Sequence, residues 1–300
     1  MQKINNNKIT DKLKDRIKNN YLLNKNSWFG IGGCANIFFQ PNNKEELILF
    51  LKNINFKNFI IIGSGSNILF KDSGFDGVVI KLGKEFCKIK EINSQIVAGA
   101  GALKSRVSEF AKNNEYANFE FLSSIPGTVG GGVSMNAGCF GSNMSDIVSQ
   151  ISVIDLSGEE KIITLKNIGF DYRKTALLNS YIITEVLFKK TKKIQSSVIE
   201  NKINLLKKKK NMNQPYGIKT GGSTFKNPIS SSKKAWELIR EAGCDKFHFG
   251  NAKFSSHHCN FIDNSNLALS SDIEKLISET QKKIKKNSST FRWAVQRKKG

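Results

Sequence analysis

The chain has 300 residues, 39% of them hydrophobic, and carries a formal net charge of +22, from 47 Lys and Arg against 25 Asp and Glu. This is enough chain for one large domain or two to three small ones with apolar cores, and the composition excludes a disordered polymer. No run approaches the roughly eighteen apolar residues that span a bilayer, and the opening MQKINNNKITDKLKDR has no apolar stretch of the signal-peptide kind, so a cytoplasmic protein without a membrane partner is expected.

In chain order, Ile9, Leu13, Ile17 and Tyr21 recur every four residues and predict an amphipathic N-terminal helix. SWFGIGG (27–33) leads into a strand-like NIFFQ ended by Pro41, and KEELILFLKN (44–53) has helical periodicity. NFIIIG (58–63) reads as a buried strand feeding the turn GSGSN (63–67), followed by strands at GVVIKL (77–82) and QIVAGAG (95–101) and a helix at LKSRVSEFAKNN (103–114). ISVIDLSGEEKIITL (151–165) predicts a hairpin turning at Ser157-Gly158, YIITEVLFKK (181–190) a strand, and VIENKINLLKKKK (198–210) a helix. Lys207–Lys210 reads as a solvated helix end or linker. Pro215 and Gly217 break that helix and mark a domain boundary. Beyond it, KKAWELIREAG (233–243) is a helix with Gly243 at its C-cap, and Ser271 with Glu274 forms the signature of a capping box for a helix to about Asn287. The final FRWAVQRKKG is strand-like.

The lysines are spread along the chain without aromatic interleaving of an RNA-binding kind, so no nucleic-acid partner is expected. Cys34, Cys87, Cys139, Cys244 and Cys259 form no CxxC pair and read as reduced apolar fillers. With His248, His257 and His258 they lack the tight spacing of a four-ligand zinc site, so no metal is expected.

Two glycine-rich stretches carry the chemistry. GSGSN follows a strand and can gather backbone N–H groups into a nest for a phosphate oxygen. A Rossmann reading fails, because ILFKDSGFDG (68–77) has no helical period. In IPGTVGGGVSMNAG (125–138), Pro126-Gly127 suits a type II turn. So much glycine is entropically expensive to order unless the main chain must approach a large flat or anionic ligand. Two such loops, each fed by a strand, fit a dinucleotide better than a lone phosphate.

From about Trp28 to the C-terminus the sequence resembles the UDP-N-acetylenolpyruvoylglucosamine reductases of peptidoglycan synthesis, in their compact subgroup. The resemblance rests on FGIGG (29–33), GSGSNIL (63–69), SIPGTVGGGVSMNAG (124–138), DYR (171–173), QP (214–215), GGSTFKNP (221–228) and HCNFIDN (258–264), in that order. It implies an α+β fold: a vanillyl-alcohol-oxidase/PCMH-type FAD-binding domain of two subdomains plus a smaller α+β substrate domain. On this reading 1–24 is an N-terminal helix, 25–210 the FAD domain, 211–288 the substrate domain, and 289–300 a strand returning to the FAD domain. The resemblance also implies FAD and NADPH as cofactors, a UDP-sugar enolpyruvyl ether as substrate, and hydride delivered from flavin N5. Gly63, Ser64, Gly65, Ser66 and Asn67, with Ile125, Pro126, Gly127, Thr128, Gly130 and Gly131, would cradle the FAD. Lys226, Asn227 and His258 would contact the sugar nucleotide.

Hydride added to the terminal enolpyruvyl carbon leaves negative charge on the neighbouring carbon and its carboxylate, which a cationic or hydrogen-bonding group must meet. Arg173 stands at the family's YR position and offers a planar bidentate fork. Ser223 matches the family's proton donor. Read without the resemblance, Arg173 is a surface arginine and Ser223 a turn serine. The family pattern then calls for a glutamate near the C-terminus, where Phe291-Arg292-Trp293-Ala294-Val295 puts Ala294. Alanine cannot manage a proton, and loss of a positioned acid or base lowers rate by about 10²- to 10⁴-fold. The alternatives are therefore a working reductase, a catalytically impaired homologue that binds flavin and sugar nucleotide, and an oxidase of the same flavin superfamily. Turnover separates them.

Overall fold

The computed structural model describes residues 12–53, 58–176, 180–229, 231–285 and 296–298. Lys14–Arg16 form one 3-10 turn and the chain then extends into β1 (Ile17–Leu22). Lys12 and Leu13 are helical as expected, but from Ile17 the helix expected through Tyr21 is corrected to a strand; residues 1–11 lie outside the described ones. Asn19 and Asn20 are poor helix formers, and Asn20 sits at φ +49°, which no helix accepts. Pairing in a sheet outweighed a four-residue spacing.

Except for two strands the sequence reading did not foresee, Ile68–Phe70 and Ile89–Ile92, the next elements follow the sequence pattern. They are β2 (Cys34–Phe39), α1 (Lys44–Asn53), β3 (Phe59–Ile62), β4 (Ile68–Phe70), β5 (Phe75–Lys81), β6 (Ile89–Ile92), β7 (Gln95–Gly99) and α2 (Lys104–Asn113). The glycine-rich stretch contains the short helix α3 (Val129–Ser134), capped by the Thr128 hydroxyl, which accepts from the Gly131 amide. Then come β8 (Gly138–Cys139), β9 (Ser142–Asn143), α4 (Met144–Ile147), β10 (Val148–Asp155), β11 (Glu160–Thr164), α5 (Leu165–Ile168), β12 (Phe170–Asp171), β13 (Lys174–Thr175), β14 (Tyr181–Phe188) and α6 (Ser196–Asn213). The β10–β11 hairpin turns where expected. Asp155 fixes it, its carboxylate accepting from the Ser157 and Glu159 amides and from Lys161. The Lys161 ammonium, with these other donors, holds the Asp155 carboxyl well below the usual carboxylate range.

The chain divides into two compact units. The first comprises Met1–Asn19, Ile37–Gly63 and Val78–Lys210. Its larger core lies against the sheet β11-β10-β14-β7-β6. Along β14, Ile182, Thr184, Val186 and Phe188 are buried while their neighbours are less so, the period-2 signature of a half-buried strand. Phe188 meets Phe119 edge to face at 5.3 Å. A second core gathers Phe39, Phe50, Val78 and Ile80, with the Phe39 and Phe50 rings stacked at 3.7 Å. β3 and β5 pair in parallel there, with Phe59 opposite Val78. Each such fully buried side chain stabilises the fold by about 1.5–3 kcal/mol.

The second unit comprises Asn20–Asn36, Ser64–Gly77 and Asn211–Gly300. It contains α7 (Ala235–Glu241), the sheet of β15 (His248–Phe249), β16 (Ala252–Phe254) and β17 (Ile262–Asp263), α8 (Ser270–Lys285) and β18 (Gln296–Lys298). Ile273, Leu276, Ile277 and Ile284 of α8 pack with Ala235 and Ile239 of α7 and with Phe29, Leu69 and Phe225. β18 runs parallel to β4, with Gln296 opposite Ile68. The start of α8 differs from expectation. The helix begins at Ser270, and the Asp272 carboxylate accepts from the Leu269 amide. Ser270 is itself held by Asp72, through both its amide and its hydroxyl at 2.7 Å. A partner far away in sequence thus moves the cap ahead of the Ser271–Glu274 pair.

Candidate active site

In the first unit, Tyr172 and Arg173 form the two-residue connection between β12 and β13. Arg173 has φ +57°, a left-handed backbone that a residue with a Cβ adopts at a cost. Its guanidinium donates to the Asn136 carbonyl at 3.2 Å and the Gly138 carbonyl at 2.7 Å. Asn136 in turn donates to the Asp171 carbonyl and accepts from the Ser145 amide. The cation is thereby fixed to the end of the glycine-rich stretch.

Of the predicted cradle residues in this unit, Gly63 follows β3, Ile125 to Thr128 lead into α3, and Gly130 and Gly131 lie within it. The Val129 and Gly130 amides donate to the Ala102 and Ala100 carbonyls, and Gly132 donates to Thr128. A Cβ on Gly130 would come within 2.9 Å of the Ala100 side chain. At Gly130, glycine therefore serves close packing of chain on chain, whereas the sequence suggested close approach of a ligand. The Ser124 hydroxyl, just ahead of the loop, is buried with no partner among the described residues. Glu120, 2% exposed, anchors the segment by an ion pair with Lys202 of α6 at 3.2 Å.

Around the same stretch lie Cys139, Lys104 and Lys210. Burial pushes the Cys139 thiol up to about 11, although Arg173, Lys210 and Lys104 act in the opposite direction. Lys210 corrects the reading of Lys207–Lys210 as a wholly solvated end: it is half-buried at a helical position, and burial lowers its pKa.

In the second unit, Ser64 to Asn67 turn between β3 and β4. Among the described residues the amides of Ser64, Gly65 and Ser66 donate to no carbonyl, and the Ser64 hydroxyl is buried without a partner. Gly65 has φ +75°, and a Cβ there would strike the Asn26 carbonyl, so only glycine fits. A run of free amides around a left-handed residue is an anion nest.

Ser223 is exposed and bridges to Phe261. Its neighbours are held hard. The Thr224 amide donates to the Asn260 carbonyl at 2.7 Å, and the Asn260 side chain brackets Phe225 by accepting from its amide and donating to its carbonyl. Thr224 and Phe225 are buried, whereas Ser223 beside them is exposed. Lys226 is half-buried. The Asn227 side-chain oxygen accepts from the Ala235 amide, so it also caps α7. The His258 Nδ1 accepts from the Asn260 amide at 3.1 Å, which leaves Nε2 as the protonated nitrogen. Burial lowers the His258 pKa below the usual histidine value, so the neutral imidazole persists. Ala294 lies outside the described residues. Asn136 and Asn260, which the sequence reading did not single out, position Arg173 and Ser223. Their only sequence signal was membership of SMNAG and HCNFIDN.

Residues 35–164 match an FAD binding domain family, and residues 214–291 match the C-terminal domain of UDP-N-acetylenolpyruvoylglucosamine reductase. The chain is 44% identical over 282 residues to the UDP-N-acetylenolpyruvoylglucosamine reductase of Pelagibacter ubique, covering 93% of both chains. It is 39% identical over 290 residues to that of Rickettsia conorii, covering 95% of this chain and 96% of the other. The chain belongs to the UDP-N-acetylenolpyruvoylglucosamine reductase family. The crystal structure of the reductase from Thermus caldophilus superposes with a TM-score of 0.81 at 28% identity, covering 94% of this chain and 98% of that one.

The fold is thus the α+β FAD-binding fold of this reductase family. The FAD-domain match contains both the Gly63–Asn67 turn and the 125–131 loop, and the C-terminal match contains Ser223, Lys226, Asn227 and His258. Arg173 falls between the two matched segments. The Ser64–Ser66 nest and the unpartnered Ser64 hydroxyl suit the phosphates of FAD, so the residues of that turn fit the cofactor.

Proposed function

We propose that Ser223 donates the proton and Arg173 meets the developing negative charge in an NADPH-dependent reduction of UDP-N-acetylglucosamine enolpyruvate to UDP-N-acetylmuramate, a step of peptidoglycan synthesis. The observation that carries this is similarity over more than nine-tenths of the chain to reductases named for that substrate. FAD, which the Ser64–Ser66 amides and the 125–131 loop would hold, would supply hydride transfer from NADPH to the terminal carbon of the enolpyruvyl group.

The chain's own residues do the rest. Arg173 stabilises charge on the carbon next to the reduced one and on its carboxylate, with a guanidinium already oriented by two carbonyls. Ser223 protonates that carbon from an exposed position beside residues clamped by Asn260. The Ser64–Ser66 amides and the 125–131 loop hold FAD, and Lys226, Asn227 and His258 hold the sugar nucleotide. We assign FAD to residues 25–210 and the substrate to 211–288, supported by the two family matches. A cytoplasmic setting belongs to the same proposal; among the described residues no helix is long and apolar enough to cross a membrane.

The test is direct. The purified protein should show visible flavin absorbance and oxidise NADPH when the enolpyruvyl substrate is added. Ser223→Ala should lower kcat by about 10²- to 10⁴-fold while NADPH still bleaches the flavin at the wild-type rate. Absence of substrate-dependent NADPH oxidation in the wild type would refute the activity, and an undiminished kcat in Ser223→Ala would refute the serine's role.

A further inference from the structure

Lys104 is the first residue of α2 and only 3% exposed. Its amine is wedged beneath the 125–131 loop. It donates to the Thr128 carbonyl at 3.3 Å, and a Cβ placed on Gly132 would lie 3.0 Å from its side chain and 3.4 Å from the Met144 sulfur. The one titratable neighbour acting on it is the Cys139 thiol of β8, and Arg173 and Lys210 face that thiol as further cations.

Burial opposes a charge here, and the Cys139 thiol and the Thr128 carbonyl offset only part of that. The ammonium is stripped of water and has no carboxylate partner among the described residues. It sits at the positive end of a helix. Burial accordingly brings the amine down to about 7. A hydrocarbon side chain would fill the same space without these penalties, so a buried amine at this position calls for an anion that arrives later.

We propose that Lys104 is an internal counter-cation for the anionic cofactor seated on the 125–131 loop, so that FAD binding carries a proton from solvent onto its amine. This rests on the reading that the loop holds FAD. Lys104 acts through the Thr128 carbonyl and the loop, and is a positioning residue. Bound FAD, an anion, favours the charged amine, and the charged amine favours bound FAD by the same factor.

Cofactor-stripped protein should be titrated calorimetrically with FAD in buffers of different ionisation enthalpy. If binding raises the amine by about one pH unit, about half a proton is taken up per FAD at pH 7.5, little at pH 5.5, and the Kd rises about tenfold between pH 6 and pH 9. Lys104→Met should bind FAD with this uptake removed and the pH dependence flattened. Wild-type binding without uptake, uptake independent of pH, or undiminished uptake in Lys104→Met would each overturn the proposal. The wild-type pH profile decides the matter even if the variant fails to fold. Failure of the wild type to bind FAD would instead refute the cofactor reading beneath it.

Discussion

Arg173 and Ser223 are placed by opposite means. The arginine is held through its own backbone at φ +57° and through two carbonyl acceptors, whereas the serine is held by what its neighbours do. Neither role can be read from the bare residue, because an arginine in a short hairpin and a serine after two glycines occur on many surfaces. Only the resemblance pointed to either. Asn136, Asn260 and Lys104 stayed hidden, since their work lies in hydrogen bonds and burial that only the folded chain brings together. Residue 294 is alanine, at the position where the resemblance implied a family glutamate. Ala294→Glu is expected to raise kcat, by as much as about 10²- to 10⁴-fold, with the NADPH half-reaction unchanged. Stopped-flow measurement of the two half-reactions would check this, and an unaltered kcat would assign control of the proton to other groups. His258 offers a second check. Its folded pKa lies below its unfolded one, so the stability it confers is complete above about pH 6.5 and is lost as the pH falls towards the folded value. NMR titration should find the His258 ring changing charge below the midpoint of an unfolded histidine.

Among the elements, the bracket of Asn260 on Phe225 is the part most exposed to mutation. Asn260→Ala removes two hydrogen bonds and leaves a buried amide and carbonyl unmet. A loss of about 2–4 kcal/mol is expected, measurable by denaturant unfolding, with kcat falling alongside as Ser223 loses its support. Elements with strong internal periodicity were readable from sequence: β14 by alternation, α1 and α8 by helical spacing, the β10–β11 hairpin by Ser157-Gly158. Those decided by distant partners were not. β1 took the place of a helix because a neighbouring strand was available, and the α8 cap shifted because Asp72, far away in sequence, claims Ser270. The glycines of the 125–131 stretch mislead in a related way. Their abundance is visible, but whether Gly130 faces a ligand or Ala100 is a question of tertiary packing.

At the scale of the whole molecule the net charge of +22 matters because FAD, NADPH and the substrate are all anions. A positive field raises the encounter rate of such ligands and is screened by salt. The KM values for NADPH and substrate should therefore rise as ionic strength goes from about 0.01 M to about 0.3 M, where the screening length shortens from about 30 Å to well under 10 Å, with kcat little changed. Steady-state kinetics across a salt series would show it, and a salt-independent KM would remove any role for the charge in ligand capture.

The second unit is assembled from Asn20–Asn36, Ser64–Gly77 and Asn211–Gly300. Phe29 and Leu69 must wait for Ile273, Leu276 and Ile277 before their core can close. At synthesis rates of about 5–20 residues per second, the ribosome holds those early apolar groups uncovered for many seconds, while the larger core of the first unit has all its residues by Leu206. The nascent chain is thus a half-finished object with sticky early segments. Chains arrested after Lys210 should be captured by chaperones or aggregate through Phe29 and Leu69.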